Sequence, residues 1–472
     1  MGKLRYGIAL LAAKLSVVAL KVTRHNGTNF PGIVAIRICP DFLRYIGKPA
    51  QIIGITGTNG KTTVTNLVRD ALEKKGRKVL CNSAGSNINS GIATCLISGV
   101  TLFGREKYDT AVLEMDERSA LRLFPYVQPD YLVVMNLSRD SIMRNGHPEY
   151  ISSILTAYMP EKTRLILNAD DLICSNVAPA NPRKYFGIKD MPGDKRESTN
   201  LINDMAICPR CHHKLTHEYM RYSNIGRAVC PSCGFSSPAY DYYAEHVDIQ
   251  AMTMDYCAGS RRIALPLLND SLFNIYNEVA MVTVLQELGY SLQDAADVLS
   301  KVDITKTRFG VSEVGDKTVI NLLCKDRNAY GTSRGLEYLS SMPGDKEIML
   351  YNFNASDARH WSENVCWLYD CDFELLADDR VKQIIVCGER GLDYRLRLLM
   401  AGVPDDRVTY VKKPDDGVDR LKLVDNDHIF IIYGTDTIAM ANRLKGEIID
   451  RIQKERDGGR ADGQAGSEAK EA

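Results

Sequence analysis

Ile52-Ile53-Gly54-Ile55-Thr56-Gly57-Thr58-Asn59-Gly60-Lys61-Thr62-Thr63 decides the fold. An apolar run, Ile52 to Ile55, leads into a glycine-rich turn, and Val64 to Lys75 then read as a helix. Strand, loop, helix is the context a phosphate-binding loop requires. Glycines let backbone N–H groups close around an anion, and the helix N-terminus adds free donors. Lys61 is placed to reach the β- and γ-phosphates of ATP, and the Thr62 hydroxyl to hold Mg²⁺. Gly57, Thr58, Asn59, Gly60 and Thr63 complete the candidate nucleotide loop. The spacing departs from the general pattern, because Ile55 stands where a small residue is usual. A plain strand-to-helix turn would need neither the lysine nor the paired threonines.

Outward from the loop, 472 residues suffice for two or three domains. Lys plus Arg equal Asp plus Glu at 59 each, which argues against a polyanion-binding surface over the whole chain. No apolar run reaches the roughly 18 to 20 residues of a membrane span. The nearest approach is Tyr6 to Val22, interrupted by Lys14 and Lys21 and followed by no small-residue cleavage site. Within it Ile8, Leu11, Leu15, Val18 and Val22 fall at helical spacing. A helix packed on the body of the protein is expected, with a helix resting on a membrane surface as the alternative. Of 13 cysteines, nine are scattered singly, a usage that points to the cytoplasm rather than to a disulfide framework.

Lys78 to Cys81, Tyr108 to Glu114, Tyr131 to Met135 and Leu165 to Leu167 read as further strands, and helical segments separate them. This alternation predicts an α/β fold with a doubly wound parallel sheet and ligands at the carboxyl ends of its strands. Helical patterns resume at Leu272 to Leu288 and Ser291 to Val302. Beyond a boundary near Thr305 to Gly310, three buried strands are expected at Glu347 to Tyr351, Gln383 to Cys387 and His428 to Tyr433. They predict a second, smaller α/β domain. From Lys454 the chain is charged and glycine-rich and is expected to be disordered.

Cys208, Cys211, Cys230 and Cys233 form two Cys-x-x-Cys knuckles 18 residues apart. Two such knuckles can converge on one tetrahedral Zn²⁺, and four thiolates leave no open position for substrate, so the role is structural. A redox pair and a nucleic-acid-binding ribbon are the alternatives; the absence of a basic surplus speaks against nucleic acid. Glu114, at a strand end, is a candidate Mg²⁺ ligand, or else a solvated helix cap. Asn136, Arg139, Asp140 and Arg144 follow the next strand, where arginines would neutralise an acyl phosphate. Asn168-Ala169-Asp170-Asp171 caps another strand. Asn274 and Asn277 stand three apart on one helix face, suited to an adenine edge or to simple capping.

In this order the loop, Glu114, Asn136, the Asn-x-Asp-Asp turn and the Asn-x-x-Asn helix resemble the central domain of Mur ligases. With the cysteine block and Arg139-Asp140 added, the chain resembles the MurT family, the synthetase subunits of lipid II isoglutaminyl synthase. The resemblance covers about residues 5 to 450, including Gly27-Thr28-Asn29-Phe30-Pro31-Gly32. It implies an N-terminal helical segment (1–45), an ATP-binding Mur ligase domain (46–305) with a four-cysteine zinc ribbon inserted at about 205–236, an α/β domain (306–453) and a tail (454–472). The implied cofactors are ATP, Mg²⁺ and Zn²⁺. The implied partner is a GatD-like glutamine amidotransferase subunit that supplies ammonia.

The reaction implied is ATP-dependent amidation of the D-glutamate α-carboxylate of lipid II at the inner face of the cell membrane. A Mur-type amino-acid ligase, on a muropeptide or folate-like substrate, is the alternative. Such ligases carry a third domain of their own type and no four-cysteine insert. Val311 replaces the arginine of the family's Phe-Gly-Arg-x-Glu, with Arg308 nearby as a substitute. The family also supplies an acid to the partner's Cys–His pair. The matching stretch assigns that acid to Asp357, with Asp370 next.

Overall fold

The structure, a computed structural model, describes residues 2–25, 27–82, 86–139, 147–301, 309–324, 328–351, 355–356, 361–362, 364–423, 427–434 and 437–468. The chain divides into two compact units. Met1–Ser138, His147–Thr199 and Asn203–Ile304 make the first; Arg139–Gly146, Asn200–Ile202 and Thr305–Ala472 make the second.

The first unit is organised on β1 (Gln51–Thr56), whose Ile52, Ile53 and Ile55 are all buried. A parallel strand covered on both faces requires such an unbroken apolar run. Around it stand β2 (Val79–Cys81), β3 (Thr110–Glu114), β4 (Tyr131–Val134), β5 (Arg164–Asn168) and β6 (Arg183–Ile188). They lie parallel in the order β6-β5-β4-β1-β3-β2. The chain therefore leaves β1 towards one side of the sheet and continues to β4 on the other. The carboxyl end of β1 is thus a topological switch point, where ligands bind in this class of sheet.

A hairpin of β7 (Thr216–Tyr222) and β8 (Ile225–Val229) forms its own two-stranded sheet. β9 (Tyr242–Asp248) pairs parallel with β6, and β10 (Thr253–Ala258) and β11 (Arg261–Pro266) extend the edge antiparallel, giving nine strands among the described residues. β6 and β9 to β11 are additions to the strands expected from sequence. They interleave exposed and charged positions with buried ones, so they lack the continuous apolar run that marks β1 or β4.

The N-terminal helix, Gly2–Val22, packs on the body as expected, but not through its apolar stripe. Its buried residues are Ala9, Leu10 and Ala13, whereas Ile8, Leu11, Leu15, Val18 and Val22 face solvent. Two alanines let the helix approach the body closely, and the larger residues are left outside. Lys14 points inward and donates to Ile97 O and Val100 O, at the C-terminal end of helix Asn89–Gly99. Helix Phe30–Ile38 packs on that same helix. A Cβ at Gly32 would lie 1.9 Å from Ser90 O, so only glycine permits this approach. Among the described residues no helix is long and apolar enough to cross a membrane.

The second unit is built on six strands, β12 (Phe309–Val314), β13 (Lys317–Leu323), β14 (Lys346–Tyr351), β17 (Val381–Cys387), β18 (Val408–Val411) and β19 (His428–Tyr433). The short pair β15 (Ala355–Ser356) and β16 (Trp361–Ser362) stands apart. The sheet order is β12-β13-β19-β14-β17-β18, parallel except for β12. β14, β17 and β19 are the strands expected from sequence, and their Ile348, Ile384, Ile385, Phe430 and Ile431 are fully buried. The last helix, Ile438–Glu468, continues through Lys454, where the sequence predicts disorder. A helix nucleated by the packed Ala441, Leu444, Ile448 and Ile452 propagates into a polar segment that holds no proline.

Candidate active site

Gly60 takes φ +88°, and a Cβ there would lie 2.3 Å from Asn277 Oδ1, so the turn demands glycine both sterically and conformationally. Asn136, just past β4, holds the turn from the other side. Its Oδ1 accepts from Asn59 N at 3.0 Å, its Nδ2 donates to Asn59 O at 3.0 Å, and its carbonyl accepts from Thr58 N at 2.8 Å. The Thr58 hydroxyl accepts from Ser138 N at 3.0 Å. The loop is thereby preset before any ligand arrives.

Lys61 begins helix Lys61–Lys74. Its Nζ donates to Gly57 O and, at 3.0 Å, to Glu117 Oε1, which also accepts from Gly57 N at 2.8 Å. Glu117 is buried, and burial pushes its carboxyl above the usual range while the Lys61 charge pulls back. Sequence reading passed over Glu117. The signal was its place three residues beyond Glu114, in a run of acids that follows a strand.

Glu114 ends β3 and turns to the loop. Its Oε2 accepts from Thr62 Oγ1 at 2.7 Å, and its Oε1 accepts from Asn87 Nδ2 at 2.8 Å. Adjacent oxygens on an octahedral Mg²⁺ stand about 2.9 Å apart, so the hydroxyl and carboxylate fit two neighbouring ligand positions. Thr62 is exposed and Glu114 half-buried, which leaves a path for water and substrate. Asn277 is buried beside Gly60, and its Nδ2 donates to Asn274 Oδ1 at 3.3 Å. Asn274 in turn donates to the Ser271 hydroxyl at 2.9 Å. The pair predicted for adenine thus meets the loop, and Asn274 also braces the start of its helix.

The Asn-x-Asp-Asp turn is structural in detail. Asp171 accepts from Leu137 N, Ile173 N and Cys174 N, and burial lifts its carboxyl to about 7 despite these donors. Asp170 accepts from the hydroxyls of Tyr219, Tyr240 and Tyr276 and from Arg221 Nη1. It pins the β7–β8 hairpin to the sheet.

Below that hairpin the four cysteines converge, their sulfurs all within 4.8 Å of one another. The Cys208–Cys233 and Cys211–Cys230 sulfurs stand 3.6 and 3.3 Å apart. Four thiolates at the usual Zn–S bond length lie about 3.8 Å from each other, so the cluster fits a tetrahedral ion. The two knuckles share one turn: His212 N donates to Cys208 O, and Gly234 N to Cys230 O. His212 and His213 are exposed and lie outside the cluster.

In the second unit Arg139 Nη1 donates to Asp370 Oδ1 at 3.3 Å. Asp370 closes the 3₁₀ turn Cys366–Asp370, which Arg397 holds through Leu368 O and Cys371 O. Val311 is half-exposed on β12. Asp357, Asp140, Arg144 and Arg308 lie outside the described residues.

The Mur ligase middle domain family matches residues 55–203, and the MurT ligase C-terminal family matches residues 326–438. The lipid II isoglutaminyl synthase (glutamine-hydrolyzing) subunit MurT of Staphylococcus aureus (strain COL) is 31% identical over 85% of this chain and 89% of its own length. The chain belongs to the MurT family. The subunit of the same name from Streptococcus pneumoniae (strain ATCC BAA-255 / R6) is 29% identical over 91% of this MurT-family chain and 94% of its own. Among solved structures, a pseudomurein peptide ligase type C from Methanothermus fervidus superposes with a TM-score of 0.62. It is 19% identical, covers 87% of this chain and is itself covered over 81%, and so shares the Mur ligase fold.

Proposed function

We propose that this chain is the ATP-dependent synthetase subunit of a lipid II isoglutaminyl synthase and works in peptidoglycan synthesis. It would act in the cytoplasm, at the inner face of the membrane. The observation that carries the reading is Thr62 Oγ1 at 2.7 Å from Glu114 Oε2, beside Lys61. A loop hydroxyl, a strand-end acid and a lysine converge where a nucleotide's phosphates and their metal belong. Bound Mg²⁺ would draw charge from the phosphate oxygens. Lys61 would leave Gly57 O and Glu117 in part to meet the γ-phosphate. Asn274 and Asn277 would line the adenine side, and Arg139, next in the chain to the loop-bound Ser138, would neutralise the acyl phosphate.

The D-glutamate α-carboxylate oxygen attacks the γ-phosphorus, the bond to the bridging oxygen breaks and ADP leaves. Ammonia then attacks the acyl carbon, the carbon–oxygen bond breaks, phosphate leaves, and the nitrogen gives up a proton. Zn²⁺ on Cys208, Cys211, Cys230 and Cys233 would close the insert and take no part in this chemistry.

Ammonia would come from a GatD-like glutaminase partner, whose Cys–His pair needs an acid to orient the imidazole. Asp357 is the proposed acid. The test is Asp357→Asn in the reconstituted complex with lipid II and ATP. Glutamine-driven amidation should collapse while ammonium-driven amidation survives. Full glutamine-driven activity would move the role to Asp370, and absence of ammonium-driven amidation in the parent complex would sink the synthetase reading itself.

A further inference from the structure

On the N-terminal helix, Leu4, Ile8, Leu11, Leu15, Val18 and Val22 are 74, 54, 56, 61, 57 and 78% exposed. Their spacing, steps of four and three over five turns, places all six on one face. At 100° per residue the buried Ala9, Leu10 and Ala13 fall on the opposite face, so the stripe points away from the body. Scattered apolar residues on a surface need no explanation, but a continuous apolar stripe does. Two apolar side chains outside the helix are exposed as well. Phe103 is 94% exposed on a loop whose Gly104 sits against Tyr6 and Leu10 of the helix. Phe30 is 51% exposed at the start of the next helix.

Charge says what covers the stripe. The chain as a whole balances 59 basic against 59 acidic residues, yet no Asp or Glu precedes Asp41. The same segment holds Lys3, Arg5, Lys14, Lys21, Arg24 and Arg37. Lys14 is committed to helix carbonyls; Lys3, Arg5 and Lys21 are exposed on the flanks of the stripe. An apolar face edged by cations, on a helix that does not span a bilayer, is the pattern of an interfacial helix.

We propose that this face of Gly2–Val22 lies in the surface of an anionic phospholipid bilayer, its stripe among the acyl chains and its flanking cations at the phosphates. The proposal rests on the reading above only for its purpose. A lipid-linked substrate is met at that surface, and a docked chain searches in two dimensions.

The test is flotation of the full-length chain with phosphatidylglycerol/phosphatidylethanolamine vesicles and with phosphatidylcholine vesicles. Association is expected with the first, weakening severalfold as salt is raised, and little with the second. Leu11→Gln, Leu15→Gln and Val18→Gln together should lower vesicle binding by about tenfold or more. They should leave thermal unfolding and amidation of a water-soluble stem-peptide analogue unchanged, since none touches the ATP site. A parent chain that stays with the lipid-free fraction overturns the proposal, as does a triple variant that floats like the parent. Loss of self-association or of the glutaminase complex in the triple variant, with no vesicle binding by the parent, assigns the stripe to a protein interface and also overturns it. Failure of the parent to amidate the analogue bears on the synthetase reading alone.

Discussion

Two buried carboxylate–cation pairs in the first unit look alike and do opposite things. Glu117 and Lys61 meet at 3.0 Å in the phosphate loop; Asp170 and Arg221 meet at 3.1 Å where the hairpin joins the sheet. Arg221 is engaged on all three of its nitrogens. It grips Asp194 through Nε and Nη2, donates to Asp170 and Tyr276, and stacks on Tyr219 at 4.1 Å. With its side chain 2% exposed, nothing further can reach it. Lys61 has a rotatable ammonium, a carbonyl and a carboxylate among its neighbours, and a 12% exposed side chain at a loop mouth. A sealed pair fixes a structure. A pair at the mouth of a loop leaves its cation within reach of a ligand more negative than its resident partner.

The sharpest way to break this contrast is Lys61→Ala. Amidation should fall by about 10²–10³-fold or more, the scale of losing one electrostatic contact to the transition state. The fold should persist, because Glu117, already raised by burial, can take up a proton once its cation is gone. A variant that amidated lipid II at near-parental rate would remove the loop from the mechanism.

Asp170→Ala should do the reverse. It strips Arg221 and three tyrosines of their acceptor and should lower unfolding free energy by about 3 kcal/mol in chemical denaturation. Amidation per folded molecule should hold. A loss of rate without a loss of stability would mean the hairpin reaches into the chemistry.

Cys208→Ser probes the far end of the same hairpin. Metal content should drop from one Zn²⁺ per chain to near none, and thermal unfolding should shift downward by several degrees. The nucleotide loop should keep its ATP affinity. Elemental analysis of protein purified without chelator, showing no zinc in the parent, would remove the metal.

The smallest effect concerns Glu278, the neighbour of Asn277. Burial raises its carboxyl to about 8 from 4.5. The folded chain thus keeps a proton that the unfolded chain releases. Its contribution is fully present below about pH 4.5 and is lost as pH climbs through about 8. Glu278→Gln should therefore leave stability unchanged near the low end and raise it above pH 8. A uniform change at all pH values would show that packing, not titration, sets the difference.

How much of this was legible depended on whether the relevant neighbours are close in the chain. Gly57 to Thr63 holds the proposed nucleotide contacts in consecutive residues, so the strand–loop–helix could be read directly. The knuckles could be read because two-residue spacings predict that each pair of sulfurs converges, and all four meet. Glu117 escaped because its meaning lies in meeting Lys61, 56 residues away. Asp170 was an undistinguished acid until three tyrosines and an arginine from later in the chain closed on it. The N-terminal helix was visible as a period, but not its side. Helical spacing shows that Ile8, Leu11 and Leu15 share a face, and apolar character alone suggests burial.

By itself, then, the sequence determined the alternation of strands and helices, the glycine-rich loop between β1 and its helix, the cysteine pairs and the family. These are properties of local order, where hydrophobic period, glycine placement and short spacing act within a few residues. Only the tertiary structure decided which acid holds Lys61 and which anchors the insert, that Thr62 and Glu114 stand 2.7 Å apart, and that an apolar stripe faces outward. Those facts depend on which distant segments share a surface. That is set by the packing of the whole core, since a buried charge must find its partner wherever the fold has put one.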